Sequence, residues 1–581
     1  INLMCGYIFY LDKKNLDISK KKQLEKVTKL IKHRGPDYNE NFSNNKIFAH
    51  HCRLSIQDLN QRSKQPFFSK DKRYMLLFNG EIYNFKILKK KLLKKYNFVT
   101  SSDTEVILAS YLIYGDKFLS KINGMFSILI YDFKLNKFVI ARDPFGQKPL
   151  YYYHDQNCFI ASSEIKPIQK LMKLKVDKTE LSNYFIENNF AYKRKTIIQN
   201  IHQLNAGEIG KFHGFNRSNS IQLNRYFSKK DLKFHPFKNN NILNPLKNTI
   251  KKHLISDAKI GVAISSGLDS RSICAILSLL KQNKKIVKAY FVEFENFKLE
   301  KSEVIRFCKY FKINLEIITV KPKDIIKKFE SCIEYNESPL GGIMNIGLFM
   351  LCEKAKKDNL KVLLGGYGLD EALGGYDILN PNIFLNFKKN STTLIDGTNL
   401  DNQKMILGVN YKTKKSRTKS TLNEKSIHKK QIDLLFQGKI PKTLHMVDRF
   451  SMSNSIEFRN PYIDLDFVKS CLQMPKKNYF NKNIGKMPVR NILKSNFKDY
   501  KFWFEQKKSV QSPQEDWFRQ KDIKRWINKI IKQQSLYTNN TFLNRKEVNK
   551  YWEQFKEKKK IFSLPIWQII NLYYLNKIFK N

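Results

Sequence analysis

The sequence predicts an α/β protein that contains a doubly wound parallel sheet. Short apolar runs at residues 260–264 and 287–294 are separated by a segment with helical spacing, and further strands are expected at residues 315–320 and 361–364. Strands that helices cover on both faces form continuous apolar runs of this kind. The chain has 581 residues, which is too long for one ordinary domain, so we expect about two to four domains.

The charge of the chain favours compositional bias over nucleic-acid binding. A net charge of +54 and a pI ≈ 9.8 are typical of proteins that bind nucleic acid. Lysine far outnumbers arginine, however, and the excess is spread along the chain with abundant Asn, Ile, Phe and Tyr, as A/T-rich codons would produce. A nucleic-acid binder concentrates its charge on one face and favours Arg for base contacts. We therefore expect no nucleic-acid partner.

Cysteine spacing and hydropathy indicate which kinds of protein the sequence does not resemble. The eight cysteines are scattered without CxxC pairs, so the sequence predicts neither a zinc site nor disulfides. No run of about 18 apolar residues occurs, and the first residues show neither a basic segment nor a cleavage-site pattern. We expect a cytoplasmic protein without a membrane partner.

Residues 259–272, KIGVAISSGLDSRS, form the segment around which the rest of the chain is organised. The predicted strand stops at a Ser-Ser-Gly turn, and a helix is expected to begin near Asp269. Unpaired N–H groups and the helix dipole attract phosphate to such a helix N-terminus. A purely structural strand-to-helix connection is the alternative. The segment lacks the GK[ST] ending of a Walker loop, which disfavours a kinase or a GTPase.

This SSGLDS segment resembles the SGGLDS pyrophosphate loop of the asparagine synthetase family and other ATP pyrophosphatases, which cleave ATP between its α- and β-phosphates. The resemblance implies that the loop holds pyrophosphate and that its aspartate holds Mg²⁺. The matching ATP-binding residues are Ser265, Gly267, Asp269 and Ser270. Ser266 stands where the family usually has Gly. In this family the backbone near Val292 receives the adenine of ATP.

A Gly-rich turn after the strand at residues 361–364 carries two neighbouring acidic residues, Asp370 and Glu371. Asp370 follows one strand end and Asp269 another, and two carboxylates suit a Mg²⁺ ion that bridges pyrophosphate oxygens. A solvated turn is the alternative. The turn GGYGLDE resembles the family's SGEGxDE segment, which implies ATP contacts at Gly365 and Gly366 and an acceptor or intermediate site at Tyr367 and Glu371. Tyr367 replaces an acidic residue that asparagine synthetases commonly have.

Five separated motifs near the N-terminus suit amide hydrolysis. Cys5 is followed in order by HRGPD at residues 33–37, RLSI at 53–56, FNGEIYN at 78–84 and SDTE at 102–105. Together they resemble the class II glutamine amidotransferase domain, an N-terminal-nucleophile hydrolase, over residues 5–212. The resemblance implies an αββα glutaminase fold for this domain. A buried structural cysteine is the alternative for Cys5.

The chemistry of these residues fits a glutaminase. Cys5 is the expected nucleophile, with its own α-amino group as the base. The Asn79 side chain and the Gly80 backbone N–H would hold the oxyanion of the tetrahedral intermediate. A peptide-bonded nitrogen cannot act as a base, so we expect translation to start at Met4, which is then removed, or a short leader to be clipped.

The same resemblance assigns the glutamine site. Arg53 would bind the carboxylate of glutamine, and a planar guanidinium suits that group. Asp103 would bind the amino group. The remaining glutamine-binding positions are Leu54, Ser55, Ile56, Asn79, Gly80 and Glu81.

Periodicity and composition define the remaining boundaries. Periodicity is lost between residues 213 and 241, which predicts a linker before a second domain at 242–581, and the polar residues 382–430 predict a surface insertion. Residues 444–464 resemble the family signature DRxSMxxSxExRxPxxD, with a helix pair held together by charges as the alternative. Lys507 aligns with a lysine that neutralises the adenylate and pyrophosphate in the family, and Lys508 is the other register.

The combined resemblance implies a glutamine-hydrolysing asparagine synthetase. ATP would adenylate the side-chain carboxylate of L-aspartate, ammonia from L-glutamine would attack the acyl-adenylate, and AMP and pyrophosphate would leave. The alternative is a related amidotransferase that acts on a sugar acid or other carboxylate in surface-polysaccharide synthesis, which Tyr367 favours. A non-catalytic or nucleic-acid-binding protein is disfavoured because Cys5, Asn79, Asp269 and Asp370 are all present. The sequence is compatible with a homodimer and does not decide the oligomeric state.

Overall fold

A computed structural model describes residues 3–56, 63–187, 194–215, 221–233, 241–297, 301–381, 423–505, 512–559 and 562–580. The first part of the chain carries two antiparallel sheets, and the second part carries one parallel sheet. Both parts have helices on the outer faces of their sheets, which confirms the predicted α/β class.

Twelve strands build the first part: β1 (Leu3–Asp12), β2 (Tyr38–Ser43), β3 (Ile47–Ser55), β4 (Phe67–Phe68), β5 (Tyr74–Ile82), β6 (Gly124–Asp132), β7 (Lys137–Arg142), β8 (Tyr151–His154), β9 (Cys158–Ser162), β10 (His202–Gln203), β11 (Glu208–Phe212) and β12 (Ile221–Arg225). One sheet has the order β10-β8-β9-β1-β3-β2, and the other has the order β12-β11-β7-β6-β5-β4. All neighbouring strands are antiparallel.

The two antiparallel sheets pack face to face because side chains alternate along each strand. Tyr7 and Phe9 of β1 face Leu77 of β5 in the layer between the sheets, whereas Tyr10 faces the outer helices. Those helices are α1 (Ile18–Thr28), α4 (Ile165–Met172) and α5 (Lys178–Glu187) on one sheet, with α2 (Phe85–Leu92) and α3 (Asp103–Tyr114) on the other. This confirms the predicted αββα arrangement.

The second part is built around five parallel strands: β13 (Ile260–Ala263), β14 (Ile286–Phe294), β15 (Leu315–Val320), β16 (Val362–Leu364) and β17 (Glu457–Arg459). Their order is β15-β14-β13-β16-β17, and every neighbouring pair is parallel. The order reverses between β13 and β16, which opens a crevice at their carboxyl ends where such folds bind ligands. The doubly wound architecture is therefore confirmed.

Fifteen helices are described in this second part: α6 (Leu243–His253), α7 (Leu268–Leu279), α8 (Lys301–Tyr310), α9 (Pro322–Asn336), α10 (Met344–Lys357), α11 (Leu369–Leu373), α12 (Glu424–Phe436), α13 (Lys439–Ser453), α14 (Leu465–Leu472), α15 (Met487–Asn496), α16 (Gln514–Phe518), α17 (Lys521–Ile531), α18 (Gln534–Asn539), α19 (Arg545–Lys556) and α20 (Leu564–Ile578). Helices α9 and α10 cover one face of the parallel sheet, and α6, α7 and α8 cover the other. Across the described ranges, no helix combines the length and apolarity needed to cross a membrane.

Two sequence predictions about boundaries need correction. The linker predicted over residues 213–241 is wrong at 221–225, which form β12; this edge strand exposes alternate polar side chains and so lacks an apolar run. The insertion predicted over residues 382–430 lies mostly outside the described residues, and its end is wrong because α12 begins at Glu424 and buries Ile427.

Candidate active sites

Cys5 lies in β1 at the meeting point of the two antiparallel sheets. It is fully buried, and the strand register places it opposite Arg53 of β3. Its backbone nitrogen donates a hydrogen bond to Asn79 Oδ1 at 3.4 Å. Burial raises the pKa of the Cys5 thiol well above its usual value, although the Arg53 guanidinium opposes that shift. The structure thus brings the predicted nucleophile, Arg53 and Asn79 together.

Asn79 of β5 lies beside Cys5 because the sheets that contain β1 and β5 pack face to face. Asn79 is fully buried, and its Nδ2 has no hydrogen-bond partner in the part of the chain that the structure describes. Gly80 has φ +151°, and a Cβ there would lie 2.0 Å from the Met125 carbonyl oxygen. Only glycine fits, so the backbone of β5 lies directly against β6. An unused buried donor beside a thiol is what an oxyanion requires.

Asp103 begins helix α3, and Ser102 caps that helix by accepting a hydrogen bond from the Thr104 N–H. The Asp103 carboxylate is fully buried, and its Oδ2 accepts a hydrogen bond from the Ile82 N–H at 3.0 Å. Burial raises the pKa of Asp103 to about 7. A cationic amine beside it would favour the ionised form.

The other predicted glutamine residues separate into two groups. Leu54 and Ile56 are buried at the junction with the second part of the chain, and Ser55 is the last residue of β3. Glu81 differs, because its Oε1 accepts a hydrogen bond from Arg459 of β17 at 3.1 Å. The Glu81 carboxylate therefore contacts the second part of the chain.

The predicted phosphate loop connects β13 to α7. The Ser265 N–H donates to Ser270 Oγ at 2.9 Å, and the Gly267 N–H donates to Ser265 Oγ at 3.2 Å. Ser265 and Gly267 are exposed, while Ser270 is buried under them. The first turn of α7 therefore meets solvent at the carboxyl end of β13, as an anion site requires.

Asp269 and Asp370 converge on one cation, the ammonium of Lys486. Lys486 Nζ forms ion pairs with Asp269 Oδ1 and, at 2.5 Å, with Asp370 Oδ1. Burial alone would lower the pKa of Lys486, but the two carboxylates raise it above its usual value. The pairing shows that both carboxylates can share one positive charge.

This pair of carboxylates fits Mg²⁺, which prefers oxygen ligands and takes one or two carboxylates together with substrate phosphates. Among the described residues, no group of three or more His, Cys, Asp or Glu side chains could hold a metal ion. Asp269 and Asp370 would therefore hold the ion together with phosphate oxygens. When bound, it would neutralise charge on the pyrophosphate.

The two motifs touch through glycines. A Cβ at Gly366 would lie 2.7 Å from the Ser270 nitrogen, and one at Gly365 would lie 2.1 Å from the Phe458 ring. A side chain at Gly366 would push the turn away from α7, whereas one at Gly365 would clash with Phe458 of β17. Of the two predicted ATP residues, Gly366 therefore lies against the predicted phosphate loop, and Gly365 lies against β17.

Tyr367 and Glu371 lie in the same turn as Asp370, and the Tyr367 ring packs against Phe458 with ring centroids 5.9 Å apart. Burial raises the pKa of Tyr367 to about 12, so its hydroxyl stays neutral near pH 7. Glu371 is buried and accepts a hydrogen bond from Tyr376 at 2.6 Å. Burial and the neighbouring Asp370 raise the pKa of Glu371 to about 7.

The predicted adenine-binding residue lies in the parallel sheet, whereas the predicted catalytic lysine cannot be placed. Val292 lies in β14 and contacts Gly347 of α10, since a Cβ on that glycine would lie 2.7 Å from Val292 Cγ1. Lys507 and the alternative Lys508 lie outside the described residues.

Sequence reasoning missed a buried ion network between the two sites, which we call the interdomain network and define as Arg34, Glu164, Glu337, Asp448 and Arg449. Arg34 pairs with Asp448 at 3.0 Å and with Glu164 at 3.2 Å. Arg449 pairs with Glu164 at 3.2 Å and with Glu337 at 2.9 Å. All five side chains are buried.

The interdomain network reaches Cys5, because Arg34 Nε donates a hydrogen bond to the Cys5 carbonyl oxygen at 3.2 Å. In the sequence, Arg34 stands in the motif HRGPD, and Asp448 and Arg449 stand in the motif DRxSM, but neither motif indicates that these residues pair with each other. Their pairing was hidden because Arg34 and Asp448 are 414 positions apart.

Comparison with known proteins agrees with this geometry. A model described as "Glutamine amidotransferase domain" matches residues 4–227, and one described as "Asparagine synthase" matches residues 241–577. "Asparagine synthetase [glutamine-hydrolyzing] 3" of Bacillus subtilis is 25% identical over 582 residues, covering 95% of this chain and 93% of that protein.

Two other relatives match a shorter stretch. "Asparagine synthetase [glutamine-hydrolyzing] 1" of Bacillus subtilis is 29% identical over 387 residues, which covers 64% of this chain and 59% of that protein. "Amidase chry2" of Gibberella zeae is 27% identical over 374 residues, which covers 61% of this chain and 55% of that protein. In both alignments the chain spans little more than half of the relative's length. Because the asparagine synthase model matches more than half of the 581 residues, the chain belongs to the asparagine synthase family and carries a glutamine amidotransferase domain at its N-terminal side.

Proposed function

We propose that this chain is a glutamine-dependent, ATP-driven ligase that converts a carboxylate into an amide. The observation that carries the proposal is the pairing of Asp269 and Asp370 around one cation beside the loop that begins α7. The unpaired Asn79 Nδ2 beside buried Cys5 supports a separate glutaminase site. Membership of the asparagine synthase family supports both assignments.

In the glutaminase site, the Cys5 sulfur adds to the amide carbon of L-glutamine. In protein that has been processed to begin at Cys5, the thiol proton passes to the free α-amine of Cys5 and then to the departing ammonia. Asn79 Nδ2 and the Gly80 N–H donate to the oxyanion, and each such donor typically contributes about 3 kcal/mol. Water then cleaves the thioester, which releases glutamate and restores the thiol.

In the synthetase site, an oxygen of the acceptor carboxylate attacks the α-phosphorus of ATP, and pyrophosphate leaves. N–H groups at the start of α7 and the Lys486 ammonium bind the departing pyrophosphate, and Lys507 would add a second positive charge. Ammonia then attacks the acyl carbon, and AMP leaves. Val292, Gly365 and Gly366 would position the nucleoside. Because Tyr367 is neutral, it is suited to orienting groups by hydrogen bonds rather than to accepting the proton that ammonia loses.

L-Aspartate is the acceptor that the family name suggests, and asparagine would then be the product. A sugar acid or another carboxylate is the second candidate. Tyr367 favours this candidate because a neutral phenol replaces an acidic side chain at the acceptor end of the site. A relative named as an amidase also matches more than half of this chain.

The proposal is tested by measuring whether the amide nitrogen of glutamine is transferred to a carboxylic acid. The protein is incubated with amide-labelled glutamine, ATP, Mg²⁺ and one carboxylic acid at a time, and AMP, pyrophosphate, glutamate and labelled amide are measured. We expect these products in equal amounts for the true acceptor. Glutamate release without AMP formation for every acid would show that the chain is only a glutaminase.

A further inference from the structure

A cavity of about 850 Å³ lies between the two parts of the chain. Tyr184 and Ile197 of the first part and Met344, Leu434 and Met446 of the second part form its apolar walls. Pockets for drug-sized ligands have volumes of roughly 300–1,000 Å³. An amino acid as small as aspartate would fill only a minor fraction of this space.

The cavity adjoins the proposed acceptor end of the synthetase site. Lys439 lines it, and the Lys439 ammonium lies 4.7 Å from the ring centroid of Tyr376. Tyr376 in turn donates a hydrogen bond to Glu371 at 2.6 Å. Met344 and Met446, which also line the cavity, belong to the same large hydrophobic cluster as Tyr367. The cavity therefore lies next to the pair formed by Tyr376 and Glu371.

The charged groups that line the cavity are mostly cationic, namely Lys195, Lys430, Lys439 and Lys442. Three acidic residues also line it, but two of them pair with cations that are not part of its lining. Glu337 pairs with Arg449 at 2.9 Å, and Asp433 pairs with Lys229 at 3.7 Å. Among the lysines, Lys195 pairs with Glu180, which does not line the cavity, at 3.8 Å, so that Lys430, Lys439 and Lys442 stand against Glu515. The balance of charge therefore favours an anionic ligand.

The cavity also offers hydrogen bonds to uncharged groups. Asn336 is buried and lines the wall, and its Oδ1 accepts no hydrogen bond from the described residues. Its Nδ2 is already used, because it donates to the Ser338 and Pro339 carbonyl oxygens. A buried acceptor without a donor is costly, and a ligand hydroxyl would satisfy it.

We infer that the acceptor is a polyhydroxylated carboxylic acid, larger than aspartate, that carries a phosphate at the end remote from its carboxylate. The inference rests on the proposed function, since the carboxylate must reach the α-phosphorus of ATP near Tyr367. The lysines bind the phosphate, and Asn336 Oδ1 accepts a hydrogen bond from a hydroxyl group.

Four compounds separate these features: glucuronic acid 1-phosphate, glucuronic acid, glucose 1-phosphate and L-aspartate. Each is supplied with ATP, Mg²⁺ and ammonium chloride, so that glutamine hydrolysis is not needed, and pyrophosphate release is measured. We expect kcat/KM for glucuronic acid 1-phosphate to exceed that for glucuronic acid and for aspartate at least tenfold. Glucose 1-phosphate should give no release, because it has no carboxylate.

A pair of neighbouring lysines on α12 supplies the matched control. Lys430 lines the cavity, whereas Lys429 is exposed and does not. Lys430→Glu should raise KM for glucuronic acid 1-phosphate at least fivefold with little change in kcat, and Lys429→Glu should leave both constants unchanged. Equal effects of the two substitutions would overturn the assignment of the cavity.

The outcomes also separate this inference from the proposed function. Efficient release with aspartate, but not with the phosphorylated acid, would overturn the inference and leave the ligase assignment standing. Release with none of the acids would count against the ligase assignment. Calorimetric titration with glucuronic acid 1-phosphate then decides the cavity separately: binding that Lys430→Glu weakens supports it, and absence of binding overturns it.

Discussion

Asn79→Ala should separate catalysis from stability, because the Asn79 side chain holds a donor that the folded protein does not use. Its Nδ2 is buried without a partner in the described part of the chain, and its Oδ1 accepts only a long hydrogen bond of 3.4 Å from Cys5. Loss of one oxyanion donor typically lowers kcat by about 100- to 1,000-fold. An unsatisfied buried group costs about 1–3 kcal/mol, so the free energy of unfolding should not fall.

Asn84→Ala is the matched control. Asn84 Nδ2 donates to the Lys121 carbonyl oxygen at 2.8 Å, and its Oδ1 accepts from the Asn123 N–H at 2.9 Å. Its removal should cost about 0.5–1.5 kcal/mol per hydrogen bond and leave glutamine hydrolysis nearly intact.

The assay measures glutamate release from protein that begins at Cys5, together with the midpoint of urea unfolding. The reasoning fails if Asn79→Ala keeps more than a tenth of the wild-type kcat, or if it destabilises the protein as much as Asn84→Ala.

Four further predictions concern the individual sites. Cys5→Ala should abolish glutamine-dependent AMP formation but keep synthesis from ammonium chloride, and loss of both would contradict separate sites. Asp269→Asn or Asp370→Asn should remove Mg²⁺-dependent AMP formation while glutamine hydrolysis, measured in parallel, continues. Tyr367→Glu should increase asparagine formation from aspartate, ATP and ammonia; an efficient wild type with no gain in the variant would show that Tyr367 is merely tolerated. Because burial raises the pKa of Asp103 to about 7, the fraction of ionised carboxylate falls as pH drops below 7, so KM for glutamine should rise there; a pH-independent KM would exclude Asp103 as the amine-binding group.

The sequence predicted the parallel sheet well because most of its strands are short, nearly continuous apolar runs. The run at residues 315–320 coincides with β15, and the run at 287–294 differs from β14 by one residue. β17 escaped notice because it has three residues, and two of them are the charged partners Glu457 and Arg459. Arg459 pairs with Glu457 within the strand and with Glu81 of the first part of the chain, and hydropathy cannot detect that such pairs allow buried charges.

The sequence predicted which residues belong to the candidate sites, but it did not predict all of the contacts between them. Motif order located Cys5, Asn79, Asp269 and Asp370. The ammonium that joins the two aspartates belongs to Lys486, 217 positions after Asp269, and no local pattern specifies that pairing. The cavity also escaped prediction, because its walls come from segments that are far apart along the chain.

The interdomain network limits how this protein can evolve by exchange of its halves. Arg34 and Glu164 come from one half, whereas Asp448, Arg449 and Glu337 come from the other. A hybrid that inherited one half from a relative with different charges would bury an unpaired ion, at a cost of about 3–5 kcal/mol. Recombination at the junction is therefore tolerated only when both sides of this network are inherited together, although the two reactions use different residues.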